Sequence, residues 1–139
     1  MYSRDHALGS LALGVVLLLV SVAPARPAVL LPVVVAIGVG IDFDHFLVAY
    51  LNTGSTKNLR RVVRDPRIVL LDQGAIFDPD DLSELQRLLS HAVLAGLAVF
   101  GLVALGEQAW AVVVGLTLYL HVLSDLVADV RKDARTERG

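Results

Sequence analysis

Asp42, Asp44 and His45 stand inside an apolar run that extends from Ala28 to Leu51. A charge at the centre of a bilayer costs roughly 2.5–3.5 kcal/mol on insertion scales, so such groups persist where they pair, bind an ion or line a wet cavity. On an α-helix Asp42 and His45, three residues apart, share a face, while Asp44 points elsewhere. Carboxylate oxygen combined with imidazole nitrogen suits a divalent cation. By itself the stretch fits two readings, a bound cation or a buried Asp–His ion pair that joins helices.

The remaining chain limits the setting. Of 139 residues 55% are hydrophobic, and the mean hydropathy of +0.67 is too apolar for a soluble domain of this length. The net charge of −2 lacks the basic excess of a nucleic-acid-binding surface. With no cysteine, a thiolate zinc site is excluded, and any metal must be held by histidine and carboxylate.

Four apolar segments, about 7–23, 28–51, 88–105 and 109–130, each approach the roughly 20 residues that a membrane helix needs. The expected fold is all-α: one integral membrane domain over 1–139, a bundle of four transmembrane helices. Its loop, about 52–87, contains short helices. The first segment is read as a retained helix rather than a cleaved leader, because Pro24 is poorly placed for cleavage and Asp5-His6 sits awkwardly in a charged leader. Small residues four apart, Ser10/Gly14 and Ala92/Gly96, predict close helix approach.

Within the loop, Asn52-Thr53-Gly54 predicts a turn. Residues 57–64 predict a basic amphipathic helix lying on the membrane surface and ended by Asp65-Pro66. Asp78 as N-cap, Pro79 at N1 and two acids after it predict a helix that runs into the third span. The tail from Arg131 to Gly139 reads as frayed.

Four spans put both termini and the long loop on one side, and that side carries every Lys and Arg except Arg26. The positive-inside rule makes it cytoplasmic, which predicts a multi-pass protein of the inner membrane with cytoplasmic N- and C-termini. It also brings His6, Asp42, Asp44, His45, His91, His121 and Asp125 toward one end of the bundle. His121 and Asp125, four apart, share a helical face. Four helices supplying N/O ligands at one depth favour the metal reading over the ion pair. Asp129, one turn beyond Asp125, is either a further ligand or a simple surface residue, and the surface reading is preferred.

These pieces also carry a resemblance. His6 in Asp-His-Ala-Leu-Gly-Ser, the Asp-x-Asp-His of Asp42, Asp44 and His45, Ser90-His91, and the His-x-x-x-Asp of His121 and Asp125 stand in order along the chain. The set resembles the YdjM-type family of membrane-bound metal-dependent hydrolases, which is similar to the zinc-dependent phospholipase C and single-strand nuclease superfamily. One departure stands out: where the family's third motif resembles His-Arg-Gly-x-Thr-His-Ser, this chain has Gln86-Arg87-Leu88-Leu89-Ser90-His91-Ala92. The leading His is Gln86, which cannot titrate near neutral pH.

The resulting expectation is a metal-dependent hydrolase, with zinc as the divalent cation, acting on a phosphoester of a membrane-resident substrate at the cytoplasmic face. The expected ligands are Asp42, His45, His91, His121 and Asp125, with His6 closing the site. Asp44 is a ligand of a second metal or the general base. Arg87 is a phosphate clamp or a snorkelling arginine. Membrane lipids are the expected partners, a lipid-linked phosphoester is preferred to nucleic acid, and no oligomeric state is implied. Two other classes remain open. One is a non-catalytic, metal-stabilised scaffold. The other is a proton- or cation-translocating protein, which would need polar groups on the outer half, where only Glu107 and Gln108 lie.

Overall fold

The computed structural model describes residues 3–21, 24–71 and 73–136. Among them the secondary structure is wholly helical. The chain forms α1 (Ser3–Leu19), α2 (Pro27–Gly40), a 3-10 turn (Ile41–Phe43), α3 (Asp44–Thr53), α4 (Lys57–Arg64) and α5 (Ile68–Leu71). A second 3-10 turn (Gln73–Ala75), α6 (Glu84–Ala104) and α7 (Gln108–Thr136) complete it. Three stretches are long and apolar enough to cross a membrane: Pro27–Thr53, which joins α2 to α3, then Glu84–Ala104 and Gln108–Lys132. Helix α1 has 17 residues, at the short end of what a span requires. Residues 22 and 23, the end of the expected first span, lie outside the described residues.

Helix α1 packs on α2 and α6 on α7, while α7 also touches α1 and α2 and so joins the two pairs; α3 lies along α6. Leu17, Leu30, Val34 and Val113 form an apolar plug where α1 ends and α2 and α7 begin. His6 on α1 and His121 on α7 lie away from this plug, where His45 of α3 and His91 of α6 join them. Ser10 and Gly14 set the α1–α2 approach, as expected from their spacing. A methyl on Gly14 would lie 2.9 Å from both Leu31 and Val34, and one on Gly38 would run into Ser10 Oγ. The companion pair does not behave so: nothing stands within 4 Å of a methyl built on Gly96.

Three local expectations are corrected. Helix α6 starts at Glu84, with Ser83 as N-cap in a capping box completed by Gln86, and not at Asp78. The Asp78-Pro79 signal is overridden because Asp81 turns inward and is buried. It accepts hydrogen bonds from Asn58 Nδ2 at 3.0 Å and the Asp78 N–H at 2.9 Å, and pairs with Lys57 Nζ at 2.8 Å. Helix α7 continues to Thr136, through most of the stretch read as frayed. The Asn52-Thr53-Gly54 turn proves to be the end of α3, where Gly54 donates its N–H to Tyr50 O at 2.8 Å and its φ of 66° turns the chain out of the helix, a conformation that glycine adopts at no steric cost. Helix α4 spans the expected residues.

Candidate metal centre

The four histidines form one buried group. His6 comes from the first turns of α1, His45 from α3, His91 from α6 and His121 from the middle of α7. His6 stacks on His121 with centroids 3.8 Å apart, and His45 on His91 at 4.8 Å. His91 and His121 meet edge-on, so their Nε2 atoms lie 3.3 Å apart.

Hydrogen bonds on the far side of each ring decide what those two nitrogens can do. His121 Nδ1 donates to the Gly38 carbonyl at 2.7 Å, and a carbonyl can only accept. His91 Nδ1 lies 2.8 Å from Asp44 Oδ2, again an acceptor when ionised. In the neutral rings both Nε2 atoms therefore carry lone pairs and face the same space. This is the arrangement by which outer partners orient histidines toward a metal.

Two carboxylates close the space. Asp42 Oδ1 lies 3.4 Å from His121 Nε2 and 3.5 Å from His91 Nε2. Asp125 Oδ2 lies 3.4 Å from His121 Nε2 and 3.9 Å from His91 Nε2. Ligands on a tetrahedral zinc with bonds of about 2.0–2.1 Å stand about 3.3–3.4 Å from one another. Neighbours around an octahedral magnesium at about 2.1 Å would stand about 3.0 Å apart. With both rings neutral and the site empty, lone pairs and carboxylate oxygens would face one another in a buried site, a costly arrangement; a proton on one ring relieves it as an ion pair, and so does a bound metal ion. The buried His and Asp groups could hold a metal ion.

The other predicted residues surround this core. His6 Nε2 bonds the second oxygen of Asp125 at 3.1 Å, and it belongs with Asp42, His121 and Asp125 to one group able to hold a metal ion; Asp42, His45 and His91 make another. Asp44 is the residue that sequence placed wrongly. The 3-10 turn advances about 120° per residue instead of 100°, which rotates Asp44 toward the Asp42 side and against His91. Its Oδ1 and His45 Nε2 lie 3.6 Å apart, both buried and both without a hydrogen-bond partner.

Arg87 and Asp129 also differ from expectation. Arg87 Nη2 donates to both oxygens of Asp129 at 3.3 and 3.0 Å, while its buried Nε has no partner. Asp129 is thus an anchor for Arg87 and not a plain surface residue. Gln86 lies away from the histidines: besides its cap role it exchanges two hydrogen bonds with Asn52, at 3.0 and 3.1 Å. The departure at Gln86 therefore removes none of the assembled ligands.

A cleft of about 350 Å³ opens beside the cluster, reaching Asp42, His45 and Asp125, with Arg87 in its wall and Phe43, Phe46 and Phe77 among its apolar lining. Phe77 presents its ring edge-on to His45 at 6.0 Å. The segment bearing it is tied down by Asp81 and by Arg61, whose Nη1 donates to the carbonyls of Ala75 and Ile76 at 2.7 and 3.0 Å. Lys57 beside Asp81 and Asp78 holds both carboxyls below their usual range and is itself pushed up by them. Asn58, Asp81 and the Gly38 carbonyl were missed from sequence. Asn58 and Asp81 carried no signal separable from a surface loop; the glycine that lets α1 approach closely was the one available hint at Gly38.

No family model, curated protein or solved structure matches this chain.

Proposed function

We propose that this chain is a membrane-bound, divalent-metal-dependent hydrolase, with zinc as the best-matched ion, that cleaves a phosphoester of a membrane-resident substrate at the cytoplasmic face. The observation that carries this reading is the convergence of His91 Nε2, His121 Nε2, Asp42 Oδ1 and Asp125 Oδ2 beside an open cleft, each nitrogen within 3.3–3.9 Å of the other and of both carboxylate oxygens. The resemblance of the ordered motifs to the YdjM-type family supports it. So does the bond from His6 to Asp125, which brings α1 to the site; in this reading α1 is a fourth, retained span. The distribution of basic residues supports cytoplasmic termini and loop.

When bound, a divalent ion supplies Lewis acidity, acidifies water and neutralises charge that develops on a phosphoryl oxygen. The chain supplies the rest. Asp44 holds the His91 ring in the tautomer that aims Nε2 inward, and the Gly38 carbonyl does the same for His121. Asp44 Oδ1, buried and unpartnered 3.6 Å from His45 Nε2, can take a proton or, with His45, hold a second cation. Arg87, fixed by Asp129, offers the cleft a charge-assisted donor for an anionic oxygen. Phe77 and its neighbours form the apolar wall of the cleft.

The test is turnover by zinc-loaded protein in mixed-lipid vesicles, with phospholipid and nucleic-acid substrates compared and Asp42→Asn as control. Metal-dependent release of phosphate or a phospho-headgroup, lost in Asp42→Asn, is expected. Absence of turnover on every substrate overturns the enzyme. Labelling of single cysteines at Arg60, exposed on α4, and at Ala25 tests the topology, since only the first should react from the cytoplasmic side. A metal-stabilised scaffold is the second reading, favoured by the burial of His91 and Asp125. Asp42, with a side chain 18% exposed, is the opening that an enzyme needs and a scaffold does not.

A further inference from the structure

Helix α6 leaves most of its surface uncovered; its one buried residue is His91. Beside it runs an apolar groove of about 590 Å³ walled by α2, α6 and α7, with Ile37 and Ile41, Leu94 and Gly101, and Val114 and Leu118 on its three sides. All three walls lie in stretches apolar enough to cross a membrane, so water is not the natural occupant.

The groove and the histidine cluster are successive levels of one seam. Residues three or four apart on a helix lie on the same face, one turn above the other. One turn before Leu94 stands His91, and one turn beyond Leu118 stands His121. The α6 and α7 walls of the groove thus each run directly into a histidine of the site. From Leu94 to Leu105 the groove is roughly 17 Å long at 1.5 Å per residue. That is about half the ~30 Å hydrocarbon core, the depth of one leaflet's chains. Small residues keep it open: a methyl built on Gly40 or on Gly101 would meet nothing within 4 Å.

We infer that this groove seats the apolar chain of the substrate, a long-chain lipid phosphoester whose phosphate lies at the histidine end. The inference rests on the phosphoester reading above and extends it to the substrate's tail. The polar cleft with Arg87 receives the head, and the α2–α6–α7 groove receives one hydrocarbon chain. Filling the groove should then act on chain binding while leaving the metal ligands in place.

The test uses a long-chain alkyl phosphonate with a photoreactive diazirine near its tail end. Its carbon–phosphorus bond resists hydrolysis, so binding is read independently of turnover. In zinc-loaded protein the label is expected on Leu97, Leu102 or Leu105. Gly101→Phe should weaken labelling at least about tenfold, because several chain methylenes lose their seat. Gly40→Leu, on the opposite wall, should do the same without touching α6. Gly96→Phe adds bulk on α6 outside the groove and should leave labelling unchanged. Label spread evenly over lipid-facing residues such as Phe100, or insensitive to both filling variants, overturns the proposal. So does a disulfide-linked dimer from Leu97→Cys in a chain without native cysteine, since a second copy would then occupy the groove. Groove labelling without hydrolysis of any substrate keeps the chain site and removes the catalytic reading; hydrolysis without groove labelling does the reverse.

Discussion

His91 and His121, on neighbouring helices, turn their Nε2 atoms toward each other across 3.3 Å while their Nδ1 atoms are held from behind by Asp44 and the Gly38 carbonyl. Two nitrogens at that distance can share a proton or, with both rings neutral, ligate one metal ion, and the proposed function takes the second. Purified protein is therefore expected to hold at least one tightly bound zinc per chain by elemental analysis. His121→Ala, Asp42→Asn and Asp125→Ala should each lose it, and Glu107→Gln should not. Because binding needs neutral imidazole, metal should leave as pH falls through the range of free histidine, about 6.5. Stoichiometric zinc surviving all three substitutions would place the site elsewhere.

Asp44 orients His91 through a 2.8 Å bond, so its loss should appear first as weaker binding. Asp44→Asn is expected to lower zinc affinity about 10–100-fold, the usual cost of removing such an outer partner. Titrating zinc to saturation separates its two roles. Turnover that recovers at high zinc marks Asp44 as a positioning residue; turnover that stays low marks it as the base.

The fold was legible where apolar segment length suffices. It located the three stretches long and apolar enough to cross a membrane, and the order of the histidines along the helices foretold that they would meet. Three features were not legible, each for a physical reason. Asp44 faces inward because of a single 3-10 turn that no residue of Ile41–Phe43 announces. Asp78-Pro79 has the signature of a helix start, yet Asn58 and Lys57, more than 20 residues earlier, draw Asp81 inward and delay the helix to Ser83. Ala92/Gly96 has the same spacing as Ser10/Gly14, but the first faces open space and the second faces α2. Spacing marks a face that permits approach; tertiary contacts decide whether it is used.

Gly38 couples packing to the site. A methyl there would strike Ser10 Oγ and push α2 from α1, carrying with it the carbonyl that fixes His121. Gly38→Ala should cost about 1–3 kcal/mol by overpacking and weaken zinc binding as well. Ser10→Gly in the same chain should recover much of both losses, since it removes the clashing side chain. Thermal unfolding with and without zinc reads the two effects; a Gly38→Ala protein with normal stability and normal zinc would break the link.

The loop that carries Phe77 should depend on pH through Asp81. Its carboxyl is held below the usual 3.8, chiefly by Lys57. A lowered folded value means that the contribution is fully present above the unfolded value and disappears as pH falls through the folded one. Lys57 is raised above 10.5, so its contribution is full below that value and is lost as pH rises through the higher one. The loop should therefore stay closed across the neutral range and open only in acid below about pH 3.8 or in strong alkali. Reactivity of a cysteine at Phe77 can be followed at the alkaline end, and proteolysis by an acid protease at the other. Asp81→Asn should make Phe77→Cys react readily at neutral pH, whereas Asp80→Asn should not.

Gln86 and Arg87 are adjacent but should respond differently. Gln86 serves the α6 cap and Asn52, so Gln86→His should leave kcat unchanged and cost about 1 kcal/mol of stability, as loss of a cap does. A large gain in rate would show that histidine at this position reaches the site after all. Arg87 lines the cleft with a buried Nε that lacks a partner, while Asp129 occupies Nη2. Arg87→Lys keeps the charge but cannot bond Asp129 and an anionic oxygen in that fixed geometry. It is expected to raise KM for a phosphoester about tenfold or more, the loss of one charge-assisted hydrogen bond of about 1.5–3 kcal/mol, while zinc content stays whole. Asp129→Asn should shift KM in the same direction by releasing the guanidinium. Kinetics unchanged in both variants would reduce the pair to a strut between α6 and α7.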